Sequence, residues 1–531
     1  MTGPDYSDEE VQGNIATVVQ GIERFVAAGQ NPEASALLDQ LIPFIAHGID
    51  FIEEADEIGL FSGLALACAR LSRVEDAKNY AGRAIIENPD DLLAHALLAP
   101  EARISIARAL IHHQRHDLAR DLLKTLGMTG QSSEGEFYLE LLDFYDTQKA
   151  LARNLVPSLV AGDSRPTLLN FVVWGEAFIE KSLTYDLPSL LAPGNLPAMA
   201  AEGGVIVDLY TAEADQQLLL GHPVFRTAAR FADVRVTCIP DTLLGYGKTG
   251  STPDPDRWCV AGAQYCSAIA ARQLDADLVY VGSGNVYSDS YLSGAKQHIQ
   301  DGVGAVVTTA IRAEEGAMAE NLALVRDETH IEIDSAELLA YAVQNMSKQF
   351  FGSFIQSQPT TVGHDPVAVF FRTEDGFLSH TFQLNPAMIS SDLLPDDFVF
   401  DFHTADARFL AEIVDGRDPE ALIKVIEEPI GDIAVINLDA GGGAGNRYGE
   451  FPVTVEGCAR AGLKWCDKES DLPYFLWAFR QRFNVDCGEH AAELPDSDLN
   501  EDETVEDILE AFENGAEETV RRIRFYSGAF R

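Results

Sequence analysis

The sequence predicts an α/β protein in which an N-terminal domain of α-helical repeats precedes a Rossmann-like mixed sheet flanked by helices. Three observations carry that prediction. Between residues 11 and 150 apolar residues recur three and four apart with almost no strand signal, the spacing of amphipathic helices. Beyond Asp163, short continuous apolar runs alternate with helical stretches, as parallel strands covered on both faces require. Two further runs joined by Thr-Glu-Asp-Gly read as a hairpin, which makes the sheet mixed. The implied divisions are a helical repeat domain over 1–160, an α/β domain over 168–440, and a C-terminal loop, helices and acidic tail over 441–531.

With 531 residues the chain exceeds one ordinary core, and its length suggests about three or four domain-sized units. A hydrophobic fraction of 46% is ample for folded cores. The formal charge of -46 argues against a general basic surface and so against nucleic acid as a partner. A local basic pocket for a nucleotide diphosphate stays compatible with it. No apolar run reaches the roughly 18 residues of a transmembrane segment, and the first residues, MTGPDYSDEE, lack the cationic start and apolar centre of a secretory signal. Seven scattered cysteines point to reduced thiols and a cytoplasmic location rather than a disulfide framework. Cys458 and Cys466 are eight apart with no CxxC or HxxxH partner, which argues against zinc.

In the helical region, residues 62–91 carry small side chains at Ala65, Ala67, Ala77 and Ala84, where paired helices need close contact, and end in Asn-Pro-Asp-Asp, a stop and a cap. The segment resembles a tetratricopeptide repeat. Ala34, Ala77 and Ala119 fall in equivalent places at spacings of 43 and 42 residues, longer than the usual repeat of about 34, so the array is irregular. Such an array implies a concave surface for a peptide or a partner subunit. A helical cap or a self-association domain accounts for it equally well. His112, His113 and His116 suggest a metal site on one helix face; an exposed turn between helices explains them more simply.

The period changes after the linker Gly-Asp-Ser-Arg-Pro at 162–166. Strands are expected at 168–173, 204–210, 234–239, 278–281 and 303–308, separated by helices at 177–191, 215–220, 257–274 and 294–300. A helix over 338–354, the hairpin 367–371 with 378–384, and a strand at 433–438 follow, then a glycine-rich loop at 441–449. After Cys487 the chain is strongly acidic, with a helix expected over 504–525 and no catalysis assigned to it. The strand at 278–281 breaks into Gly282-Ser283-Gly284-Asn285, a turn that can approach a ligand closely because glycine has no Cβ. Ligands of open α/β sheets sit outside the carboxyl ends of strands, so this turn is a candidate site floor; a turn without chemistry is the alternative.

Residues 170–200, NFVVWGEAFIEKSLTYDLPSLLAPGNLPAMA, resemble the opening of bacterial GT-A-like glycosyltransferases, several of which are joined to tetratricopeptide repeats. DADLVYVGSGNVYSDSYL, 275–292, sits where that fold carries its Asp-x-Asp metal-binding motif, and SHTFQLNPAMI with DFHTADARFL resembles the later segments that complete the site. The resemblance covers about residues 170–438 and implies a glycosyltransferase that moves a sugar from a nucleotide-sugar donor, with Mn or Mg neutralising the diphosphate leaving group. The chain departs from the motif: the turn carries no carboxylate. Asp275 and Asp277 form a literal D-A-D, yet precede the strand and are not assigned as ligands. Asp289 is a second candidate. Metal independence, a ligand from elsewhere, and loss of activity all remain open.

The later segments supply the other candidates. His380 is a metal candidate, and Asp401, His403 and Asp406 suit either a cation or deprotonation of an acceptor hydroxyl. A capped helix start is the alternative for that trio. Arg408 suits a phosphate, or pairs with Asp401 or Glu412. After the first strand, the resemblance implies that Trp174 stacks on the base and Glu176 takes a ribose hydroxyl beside Gly175; a buried tryptophan competes with that. GYGKTGSTPDPD, 245–256, lacks the GxxxxGK[ST] spacing and reads as a lid whose Lys248 reaches the diphosphate, with Ser283 and Asn285 completing the donor site. Two rival readings stand beside the transferase. One is an inactive GT-A-like domain serving as a scaffold through its helical repeats. The other is a different α/β enzyme on a nucleotide cofactor, which the absence of GxGxxG after the first strand disfavours.

Overall fold

The computed structural model describes residues 116–127, 133–155, 164–246, 255–362, 366–396, 398–400, 403–405, 407–429, 433–439, 451–466 and 469–527, with isolated positions between 22 and 114. Ala77, His112, His113, Lys248, Asp401, Asp406 and the glycine-rich segment 441–449 lie outside the described residues. The chain divides into two compact units, one of residues 1–143, 249–252 and 518–531, the other of 144–248 and 253–517. In the first unit the described residues are mainly helical and include the helix His116–Gly127. Ala34 and Ala119 are fully buried there, and Arg120 pairs with Asp143.

The second unit is mixed α/β. Its strands are β1 (Thr167–Val172), β2 (Val205–Ala212), β3 (Asp233–Ile239), β4 (Asp277–Val281), β5 (Asn285–Tyr287), β6 (Ala305–Thr308), β7 (Ala310–Glu314), β8 (Thr361–Val362), β9 (Ala368–Arg372), β10 (Gly376–Thr381), β11 (Asn385–Ile389), β12 (Ile423–Val425), β13 (Val435–Asp439), β14 (Phe451–Pro452) and β15 (Phe483–Asp486). The main sheet runs β12-β6-β11-β4-β1-β2-β3. All its pairings are parallel except those of β11, which is antiparallel to both β4 and β6. The chain builds outward from β1 to β3 and then returns to lay β4 on the other side of β1. That reversal makes the carboxyl edge between β1 and β4 a topological switch point, where open sheets leave a crevice.

Burial explains the regular elements. β1, TLLNFV, is covered along nearly its whole length, as a strand with helices on both faces must be. Leu169, Phe171, Leu209, Val279 and Val281 meet Leu183, Leu196, Phe225 and Leu292 in one continuous core. A second core lies under the three-stranded sheet β5-β13-β7, where Val286, Ile311 and Ile436 meet Leu338, Phe370, Phe377 and Val485. β10 pairs with β9 and with β15, so residues 483–486 belong to the same unit.

Two expected helices are broken, for local reasons. The stretch 177–191 becomes the helix Glu176–Lys181, a π turn Ser182–Asp186 and the helix Leu187–Leu190. Pro188 has no N–H to return to the carbonyl of Thr184; that carbonyl accepts from Arg326 Nη1 at 3.0 Å instead. The stretch 338–354 becomes Ser335–Gln344 and Lys348–Phe351, because Ser347 caps the second piece by accepting from the Phe350 N–H at 3.3 Å. β11 and β12 were not expected, and the apolar strand expected at 433–438 forms in the small sheet as β13 rather than in the main one.

The literal D-A-D is structural, at the amino end of β4. Asp277 is buried and meets Lys296 Nζ at 2.5 Å, while Lys296 also donates to the Arg165 carbonyl at 2.8 Å. Asp275, at φ +52°, pairs with Arg165 Nε at 3.1 Å. Removing one member of a buried pair leaves the other uncompensated. Lys296→Met is therefore expected to destabilise the protein by about 3–5 kcal/mol in urea unfolding, and Lys296→Met with Asp277→Leu to recover most of that loss.

Candidate functional site

The in-register pairing of β1 with β4, which sets Phe171 beside Val281, sends the loops that follow both strands out of one edge of the sheet. The β4 loop folds back at once into β5. A Cβ on Gly282 would stand 2.7 Å from Asn285 Nδ2, so a larger residue there would displace the Asn285 amide. Gly284 turns the chain at φ +83°. The turn is braced from beneath by Asp186, the last residue of the π turn, whose Oδ1 accepts from the Asn285 N–H at 2.6 Å. Ser283 ties the same turn to the preceding helix, donating to the Phe178 carbonyl at 3.3 Å.

A cavity of about 260 Å³ opens at this carboxyl edge, just below the range of about 300–1,000 Å³ usual for small-molecule sites. Tyr280 of β4, Gly282 just after it, Thr309 after β6, and Asn385 and Pro386 at the start of β11 form its sheet-side wall. Thr381 and Gln383, at and beyond the end of β10, face them. A further wall is the β5-β13-β7 sheet, with Phe350 and, from β9, Ala368 and Phe370 beside it. The sheet's pairing aligns Tyr287 with Val435 and Ala310 in one rung, and Asn285 with Asn437 and Arg312 in the next rung on the same face. All six line the cavity. Within the second rung Asn437 Nδ2 donates to Asn285 Oδ1 at 2.9 Å, and Asn285 Nδ2 donates to the Tyr287 hydroxyl at 3.2 Å. Among the described residues Arg312 is the single charged member of the lining. Burial holds the Tyr287 and Tyr291 hydroxyls protonated, pushing both well above the ordinary phenol range.

Among its described residues the cavity therefore offers amides and hydroxyls, each able to donate or accept, and one cation, beside apolar side chains that include Phe350, Val367, Phe370 and Val435. The polar part of that set has the chemistry to hold hydroxyl groups and an anion. Of the described residues chosen from sequence, Asn285 lines this cavity and the others stand elsewhere. Gly175, at φ +80°, donates its N–H to Asp215 Oδ2 at 2.7 Å; Trp174 is half-buried beside it and Glu176 is exposed at a helix start. Ser283 faces the helix, as given above. His403 accepts from Arg408, and among the described residues of that segment Ala405 reaches the cavity, with its N–H bonded to Gln264 Oε1 at 2.8 Å.

The two proposed metal ligands outside that segment have other partners. Asp289 Oδ1 accepts from the N–H groups of Gly194 at 2.7 Å and Ser290 at 3.0 Å. His380 is buried, with Nδ1 3.0 Å from the Phe479 carbonyl and Nε2 3.1 Å from Glu501 Oε1. Strand alternation is the cause: Thr381 faces the cavity, so His380 faces the other way. Among the described residues no three His, Cys, Asp or Glu side chains gather as a metal ion would need. The Gly282–Asn285 turn offers hard oxygen donors but no carboxylate. The described donor set does not fit the divalent cation that the resemblance implies.

Arg312, Asn437 and Gln383 were not anticipated. The available signal was a lone polar residue inside an apolar strand, as in AIRAE and VINLD. Comparison with protein-family models, with curated proteins and with solved structures gave no match.

Burial pushes the Asp186 carboxyl up to about 7, against the opposing pull of Ser182, the Asn285 and Gly284 N–H groups and the Lys181 charge. The folded chain thus holds this proton more tightly than the unfolded chain does. Stability contributed by Asp186 is complete below about pH 4 and is lost as pH rises to about 7, by up to about 4 kcal/mol. Asp186→Asn is expected to remove that slope, so that wild type minus variant stability, from urea unfolding at successive pH values, falls between about pH 4 and 7 and is flat above.

Proposed function

We propose that the chain is a glycosyltransferase with a GT-A-like domain, moving a sugar from a nucleotide-sugar donor to an acceptor hydroxyl. The observation that carries the reading is the cavity beside the β4 turn, where the resemblance puts the donor-binding loop, lined by amides and hydroxyls with a single arginine. The mixed sheet with its switch point next to β4 supports it as well. In the reaction the bond from the anomeric carbon to the diphosphate oxygen breaks, its electron pair leaving with the diphosphate. The acceptor oxygen forms the new bond to that carbon and gives up its proton to a base.

The chain's own groups supply orientation. Asn285, Asn437 and Gln383 would hold sugar hydroxyls, and the edge of Tyr287 bounds the sugar face. The base is proposed from the segment of Asp401, His403 and Asp406, because Ala405 in its midst reaches the cavity wall. Arg408 occupies His403 Nε2. Proton abstraction by that nitrogen requires Arg408 to withdraw. Trp174, Glu176, Ser283 and Lys248 stay as proposed nucleotide contacts beyond the sugar.

A second reading has its own observation: the β4 turn lacks the carboxylates of the motif it stands for. A GT-A-like domain without turnover, acting as a scaffold through its helical repeats, accounts for that. One experiment separates the readings. Sugar nucleotides are expected to raise the melting temperature and to be hydrolysed slowly; binding without hydrolysis or transfer favours the scaffold, and a flat melting temperature across the panel removes the donor site altogether. Asn437→Ala takes away the amide that orients Asn285 and is expected to weaken sugar-nucleotide binding about tenfold, a loss near that of one well-placed hydrogen bond.

A further inference from the structure

We infer that the donor's phosphates are held by Arg312 and that their binding needs no divalent cation. The inference rests on the donor-site reading above and specifies how that site handles charge. A diphosphate leaving group must be neutralised where it develops charge, and metal ions or fixed donors such as arginine, lysine and backbone N–H groups do this in proteins. The described residues provide the second and not the first. The β4 turn has no carboxylate, Asp289 is engaged by two backbone N–H groups, and both nitrogens of His380 are occupied.

Arg312 is positioned for the task. It extends the rung Asn285–Asn437 across the small sheet and lines the cavity, with its side chain 43% exposed. Asp439 forms an ion pair with it, 3.7 Å from Nη1 and too long for a hydrogen bond. Among the described residues nothing accepts a hydrogen bond from its guanidinium. The planar fork thus keeps its donors for a bidentate phosphate contact, beside amides that hold the adjoining sugar.

The test is calorimetric titration of the full chain with ADP, CDP, GDP and UDP, each in EDTA and in excess Mn²⁺ or Mg²⁺. The expected result is that one or more binds in EDTA with an affinity that added metal changes less than about threefold, and that Arg312→Gln weakens this binding at least about tenfold. Arg312→Lys is expected to recover part of the loss, and the parent nucleoside to bind both proteins alike. Asn437→Asp sets a carboxylate beside the guanidinium without removing it and is expected to weaken binding as well. A requirement for metal, or equal affinity in wild type and Arg312→Gln, overturns the inference and leaves the transferase reading standing. Failure of every nucleotide and sugar nucleotide to bind in either condition overturns both together.

Discussion

The candidate site depends on one antiparallel strand wedged into a parallel sheet. β11 lies between β4 and β6 and runs against both, so those two strands stand two strand spacings apart, about 10 Å. Because β11 is reversed, its beginning rather than its end lies at the carboxyl edge, and Asn385 and Pro386 become cavity wall. The register slips between Pro386 and Met388, as a residue without an N–H in the middle of a sheet demands. A parallel strand in that place would have sent a loop across the opening. The reversed strand arrives from outside, after Thr381 and Gln383 have crossed the opposite wall, and the space stays open.

The small sheet closes the other side, and its contribution is register. Three short strands bring residues 285, 437 and 312 into one rung only because each strand pairs with the correct neighbour and no slip occurs. A slip of one residue would turn the amides and the arginine into the apolar core under Leu338 and Phe370, where polar groups lose their water without gaining partners. The core residues Val286 and Ile436 alternate with Asn285 and Asn437, so burial on one face fixes what the other face presents. Site geometry here is a by-product of core packing.

This explains what was legible in the sequence. β1, β2 and β4 could be read because strands buried on both faces are continuous apolar runs, and the Gly-Ser-Gly-Asn turn stood out as the break in one of them. β12 is three residues long, and β11 opens on Asn-Pro, which counts against a strand in any single-sequence reading. Arg312 and Asn437 are 125 residues apart in the chain and meet only through the parallel pairing of β7 with β13. Local pattern carries no trace of that meeting. His380 looked like a ligand because a histidine ends an apolar run, yet period-two alternation puts Thr381 on the cavity side, a distinction that requires knowing which face of β10 is covered.

The missing carboxylate in the β4 turn follows from what lies beneath it. Asp186 is buried directly under Asn285, and desolvation already raises its carboxyl to about 7. A second carboxylate at position 285 would face that group across one backbone hydrogen bond, and two like charges in such a place cannot both ionise near neutral pH without a strong countercharge. A bound divalent cation could supply one, at the cost of making the turn's stability depend on the metal. An amide avoids the conflict. Asn285 satisfies Asn437 and Tyr287 while carrying no charge, and the positive charge of that rung stands two strands across the small sheet, at Arg312. With a net charge of -46 on the whole chain, the proposed anionic donor would be repelled at long range, so its attraction would have to come from contact at the cavity itself. Ionic strength would act unequally on the two: it screens repulsion beyond a Debye length of about 8 Å at physiological salt and affects a close contact less.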